Sequence, residues 1–198
     1  MSRQAKAVVC REWGQPLHVE TITVDPPKRG EVTIKVAACG VCHSDHSAAT
    51  GKIPYAPPLV LGHEAAGIVV EVGEGVTTLK EGDYVVSTFI TMCGKCRNCV
   101  RGRPVLCENA RKSMTTLPDG TVRTHGKDGE DLNVFGACGV MVEYATLHVD
   151  NCVQIDGDVP MSSAALVGCA VITGVGSVFN TAELEPGSRA AVFGIGGV

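Results

Sequence analysis

Residues 40–67 carry the side chains best suited to chemistry. They read Gly-Val-Cys42-His43-Ser44-Asp45 and, past a Pro-rich turn, Gly-His63-Glu64-Ala-Ala-Gly67. A Cys42 thiolate and a His63 imidazole are two of the three protein ligands a catalytic zinc takes, its remaining position staying open for water or substrate. Ser44 offers a hydroxyl that could pass a proton to or from an alcohol at the metal. Asp45 offers a carboxylate that could hold the histidine from behind. A third ligand must come from elsewhere, and Cys169, in Val-Gly-Cys169, is the choice. On its own it would read as a small buried hydrophobe.

Cys93, Cys96, Cys99 and Cys107 form a second constellation, with two, two and seven residues between them. Four thiolates this close can complete a tetrahedron round one zinc and leave no open position, which makes such a site structural. A Cys-rich surface loop and an iron–sulfur cluster are the alternatives, although no Pro follows the last Cys as in the ferredoxin run.

The elements that must position these groups are short. Residues 5–9 are apolar, 17–24 alternate loosely, and 31–37 alternate Val32, Ile34 and Val36 with polar neighbours, a half-buried strand that places Cys42 in a loop leaving a sheet. Further strands are expected at 68–73, 82–86 and 140–149. Gly is frequent at 24 residues, which suits close-spaced strands and turns in a small barrel or sandwich. Residues 111–133 make a polar excursion turned at Pro118-Asp119-Gly120. A helix is expected to open at 160–166, with Ser162 and Ser163 as candidate caps, and to continue over 173–181. Residues 190–193 read as an apolar strand. Gly194-Ile195-Gly196-Gly197-Val198 then supplies the first five positions of a Gly-x-Gly-x-x-Gly phosphate turn, without its last Gly, its helix or the acidic residue for the ribose.

Composition excludes several classes. A net charge of −4 with no basic run points away from nucleic acid and anionic membrane surfaces. Residues 1–15 lack the apolar run of a signal peptide, and no 18 apolar residues run uninterrupted, so this reading expects no membrane span. Ten cysteines without a secretory signal suit metal binding in a reducing compartment, hence a cytoplasmic location. Cys10, Cys39, Cys138 and Cys152 have no partners at metal spacing and are expected to be free thiols.

Together these motifs resemble the zinc-containing medium-chain alcohol dehydrogenases, from about residue 5 to the end of the chain. The fingerprint Gly62-His63-Glu64-x-x-Gly67 followed by Gly73 and Val76, the Gly-Val-Cys42-His43-Ser44-Asp45 segment, the four-cysteine lobe and Gly168-Cys169 carry the likeness. The resemblance implies a mainly β fold with some α: a GroES-like, partly open β-barrel with a zinc lobe over residues 1–168, then the first helix and strand of an incomplete NAD-binding Rossmann domain over 169–198.

It also implies roles. Cys42, His63 and Cys169 would hold the catalytic zinc, with Glu64 an alternate or supporting partner, and Cys93, Cys96, Cys99 and Cys107 the structural zinc. Ser44 would relay the alcohol proton and Asp45 orient His63. His43 would contact cofactor phosphate, Thr173 the nicotinamide, and Gly194, Gly196, Gly197 and Val198 the dinucleotide. Phe89 and Phe135 would shape the alcohol pocket. The implied activity is oxidation of a small-molecule alcohol to an aldehyde or ketone by hydride transfer to NAD, with two zinc ions per chain and a homodimeric or homotetrameric full-length form. Two rivals are a truncated zinc-binding domain without turnover and a polyol or formaldehyde-adduct dehydrogenase. One departure concerns the proton relay: Ser47 stands where many members have His, and His46, one residue earlier, is expected to face another way.

Overall fold

The computed structural model describes residues 1–109 and 114–196. Gly197 and Val198, assigned above to the dinucleotide turn, lie outside the described residues. The strands are β1 (Arg3–Cys10), β2 (His18–Val24), β3 (Glu31–Cys39), β4 (Leu59–Val60), β5 (Ala65–Val72), β6 (Tyr84–Ser87), β7 (Thr124–His125), β8 (Asn133–Val134), β9 (Tyr144–His148) and β10 (Cys152–Ile155). They form two five-stranded sheets, ordered β7-β2-β1-β4-β8 and β10-β6-β5-β3-β9. The period-2 pattern accounts for the closure. Ala5, Ala7 and Val9 of β1 point one way, Val32 and Ile34 of β3 and Ala145 and Leu147 of β9 the other, and all meet in a single core with Val69, Val85 and Val140. A bridge between Ala7 and Val142 ties the sheets along one side, completing a barrel-like wall.

The polar excursion is pinned to this barrel by charge. Arg123, 2% exposed, donates to both carboxylate oxygens of buried Glu31 at 2.9 and 2.6 Å and to Asp119 at 2.7 Å. A bidentate guanidinium–carboxylate pair of this kind is among the stronger polar contacts available to a buried charge.

Two elements leave the barrel toward the candidate site. Three residues separate the end of β3 from the start of α1 (His43–Ala49). The second begins as α3 (Met161–Leu166) and runs without a break through π-helical turns at Val167–Val171, α4 (Ile172–Gly176) and further π-helical turns at Ser177–Thr181, 21 residues in all. α2 (Arg97–Val100) lies in the four-cysteine lobe. The long helix buries Ala164 and Ala165 against Ala66 and Val86, while Val171, Ile172, Val175 and Val178 beyond them stay exposed.

Three expectations change here. Ser162 and Ser163 do not cap the helix: Pro160 occupies the cap position and no side-chain cap bond forms. The helix is long and apolar enough, by length and composition, to cross a membrane, a condition judged unmet from uninterrupted runs; its first turns instead pack on the barrel. Residues 190–193 join no sheet, and Val192 and Phe193 stand 79% and 96% exposed. A strand needs a neighbour to take its backbone hydrogen bonds, and none is offered among the described residues.

Candidate metal and alcohol site

Cys42 sits at the N-cap of α1 with an extended backbone. Asp45, three residues on, accepts the Cys42 N–H on Oδ2 at 3.0 Å and the Gly62 N–H on Oδ1 at 2.9 Å. One buried carboxylate therefore ties the Cys42 turn to the turn that carries His63. Gly62 is required at that join: its φ is +94°, and a Cβ would run into the Met141 backbone.

The ligand atoms of Cys42, His63, Glu64 and Cys169 all lie within 4.8 Å of one another. Residues distant in the chain meet because β3, β5 and the long helix converge at one end of the barrel. Cys169 arrives on the π-helical turn Val167–Val171, a wide turn of the type that re-aims side chains at functional sites. Gly168 permits that approach, since a Cβ there would overlap the Ser87 carbonyl oxygen.

The electrostatics suit a cation. Burial and the neighbouring Cys42 and Glu64 push the Cys169 thiol up to about 12, so the cluster disfavours a lone thiolate without a positive charge among the donors. Burial pulls the His63 imidazole down, but the Asp45 carboxylate and then Cys42 outweigh it and raise its pKa. His63 Nδ1 lies 3.4 Å from Asp45 Oδ1 and makes no hydrogen bond, an orphaned buried nitrogen. Its Nε2 faces Ser44 Oγ at 3.3 Å and Glu64 Oε1 at 3.8 Å. Two soft thiols, an imidazole and a carboxylate form the donor set zinc prefers.

Two cavities flank the cluster. One, about 190 Å³, is lined by Ser44, Ile53, Tyr55, His63, Phe89, Met114, Phe135 and Cys169. Phe89 and Phe135 hold the His63 ring edge-to-face from two sides, at centroid distances of 5.3 and 5.1 Å. The other, about 550 Å³, opens beside Cys42, His43, His46, Glu64, Leu166 and Cys169. His46 thus lines the same cleft as His43, the two rings 5.6 Å apart, against the expectation that it faces elsewhere. A residue one place earlier on a helix turns by about 100°, which here brings it round to the cleft. Thr173, one turn beyond Cys169, is exposed and lines neither cavity, and Gly194 and Gly196 are exposed with no strand or helix beside them. Tyr55, Ile53 and Met114 were not foreseen from sequence, because they carry no motif and reach the pocket only through tertiary packing.

The four lobe thiols likewise lie within 4.8 Å of one another, and none is oxidised. The Cys96 and Cys107 sulfurs are 3.9 Å apart, far beyond a disulfide bond. The backbone N–H groups of Cys93 and Cys96 point at the sulfurs of Cys107 and Cys93, at 3.5 and 3.3 Å. Such donors stabilise thiolates, and the lobe, with Cys107 buried and the other three half-buried, can take metal on all four.

Comparison with known proteins agrees with this architecture. Residues 28–157 match the family model of the alcohol dehydrogenase GroES-like domain. The chain is 41% identical over 198 residues to an S-(hydroxymethyl)glutathione dehydrogenase of Escherichia coli O1:K1 / APEC, covering 98% of this chain and 53% of that protein. It superposes on the crystal structure of an alcohol dehydrogenase zinc-binding domain protein from Burkholderia ambifaria with a TM-score of 0.85 at 32% identity, over 91% of this chain and 50% of the other. An acetophenone reductase from Geotrichum candidum, solved in complex with NAD, gives a TM-score of 0.72 at 29% identity, over 93% and 49%. The chain spans about half the length of the curated relatives it matches. Barrel, ligand-bearing turns and sequence match agree: the chain belongs to the alcohol dehydrogenase GroES-like domain family.

Proposed function

We propose that this chain is the zinc-carrying, alcohol-binding part of a cytoplasmic, NAD-dependent alcohol dehydrogenase. The observation that carries the reading is the convergence of Cys42, His63, Glu64 and Cys169 between a small apolar pocket and an open cleft. Cys42, His63 and Cys169, with Glu64 in reserve, would hold one zinc, and the lobe cysteines a second. When bound, the metal supplies Lewis acidity that lowers the pKa of an alcohol, and the nicotinamide cofactor supplies a hydride acceptor.

The chain's own residues supply the rest. Ser44 Oγ, on the pocket wall beside His63 Nε2, takes the alcohol proton and hands it outward. Asp45 keeps the Cys42 and His63 turns in register. Phe89, Phe135 and Tyr55 exclude water and restrict the pocket to small alcohols. His43 faces the cleft, where a dinucleotide phosphate would pass. Ten cysteines and no disulfide among the described residues suit the reducing cytoplasm. The likeness to S-(hydroxymethyl)glutathione dehydrogenase favours a second reading, in which a formaldehyde–thiol adduct is the alcohol.

Metal analysis and turnover test this in two steps. The 198-residue chain should hold two zinc ions after dialysis, and Cys42→Ala should hold one. It should show little turnover by itself, since no dinucleotide domain forms among the described residues. A longer form carrying that domain should reduce NAD with a primary alcohol or with S-(hydroxymethyl)glutathione. A single zinc in the parent chain, or no NADH from any alcohol tried with the longer form, would sink the reading.

A further inference from the structure

Ser87 carries no motif and stands at the end of a strand, yet it lies between two of the candidate ligands. It is fully buried. The β5–β6 ladder ends at the pair Ala66 and Val86. One step further, where the backbone ladder stops, the Ser87 hydroxyl takes over: Oγ accepts the Ala65 N–H at 2.9 Å and donates to the His63 carbonyl oxygen at 3.4 Å. The same residue's carbonyl oxygen is the surface on which bare Gly168 rests, the position immediately before Cys169. Ser87 itself is held firmly. It pairs with Cys152 in the β6–β10 ladder, and the next residue, Thr88, exchanges bonds with Asn151: its N–H donates to the Asn151 carbonyl at 2.8 Å and its carbonyl accepts from Asn151 Nδ2 at 2.7 Å.

We propose that Ser87 is a positioning residue of the metal site, its hydroxyl fixing the His63 backbone and its carbonyl seating the turn that carries Cys169. Two ligands from distant parts of the chain then take their spacing from one rigid strand end. The proposal rests on the reading of Cys42, His63 and Cys169 as metal ligands. A hydroxyl is needed because one group must both accept from Ala65 and donate to His63, which no apolar side chain of that size can do. Groups that orient ligands in this way typically change metal affinity by about 10- to 100-fold when removed.

The test is cobalt(II) titration of the metal-free 198-residue chain, following thiolate-to-metal absorption, with thermal melting of the metal-free protein alongside. Ser87→Ala should bind the Cys42–His63–Cys169 cobalt about 10- to 100-fold more weakly and with an altered visible spectrum. The four-cysteine lobe should fill as in the parent, and Ser87→Thr, which keeps the hydroxyl, should stay near parental affinity. Parental affinity and spectrum in Ser87→Ala would overturn the proposal. Equal weakening of both sites together with a lowered melting temperature would also overturn it, showing a general packing role. Cys42→Ala separates the two ideas: if it loses no cobalt, the ligand reading itself is wrong, whatever Ser87 does.

Discussion

Replacing Asp45 with Asn changes one atom type and leaves the shape alone, so its consequences can be worked out from the contacts. The carboxylate side chain is 4% exposed and accepts two backbone N–H groups, from Cys42 at 3.0 Å and Gly62 at 2.9 Å. An Asn can accept one of them and must turn its NH2 toward the other. The stranded buried donor costs about 1–3 kcal/mol, and the surviving bond, no longer to a charged acceptor, weakens by about 1 kcal/mol. The metal-free chain should therefore lose about 2–4 kcal/mol, which for a chain of this size lowers Tm by roughly 4–16 °C. The two loosened turns carry Cys42 and His63, so metal affinity at their site should fall about 10- to 100-fold as well, while the lobe is unaffected. Differential scanning calorimetry without metal and competitive zinc titration with it measure the two effects. An unchanged Tm would refute the hydrogen-bond reasoning. A lowered Tm with parental zinc affinity would refute the link between Asp45 and the ligands.

Two further predictions concern the excursion. Arg123→Ala leaves Glu31, whose side chain is 4% exposed, as an unpaired buried charge, and urea unfolding should show a loss of about 3–5 kcal/mol; a loss under about 1 kcal/mol would mean the pair does not pin the segment. Asp119 feels burial pushing its pKa up, but Arg123 and Thr121 outweigh it and hold the carboxyl at about 2, against an ordinary 3.8. Its folded pKa is the lower one, so its contribution is complete above 3.8 and disappears as pH falls toward 2. The urea midpoint should drop over that window in the parent and less so in Asp119→Asn, the effect being modest because the side chain is 42% exposed; identical pH profiles would refute it.

The candidate chemistry of this chain was legible in its sequence wherever a residue type and a short spacing together suit a function. Four cysteines within fifteen positions, or Cys42 with Ser44 and Asp45, need no fold to be recognised, since the ligands are local and zinc demands thiolate and imidazole donors. Strand alternation in residues 31–37 likewise announced β3, although the strand is buried on both faces over its first half, Glu31 and Thr33 as well as Val32 and Ile34. The long helix was legible too, but not its cap, because Pro160 took the position that sequence preference assigned to serine.

Only the tertiary structure decided what depends on contacts between distant segments. Cys169 was chosen as third ligand only because Cys42 and His63 needed one, and it is the Gly168 turn seated on Ser87 that brings its sulfur to them. His46 turned into the cleft and Tyr55 into the pocket through packing, which leaves no mark in local spacing. Residues 190–193 show the converse: a sequence apolar enough for a strand forms none where no neighbouring strand accepts its hydrogen bonds. Residue type sets which chemistry is available, and long-range backbone contacts, whose energy depends on partners far along the chain, set where it is assembled.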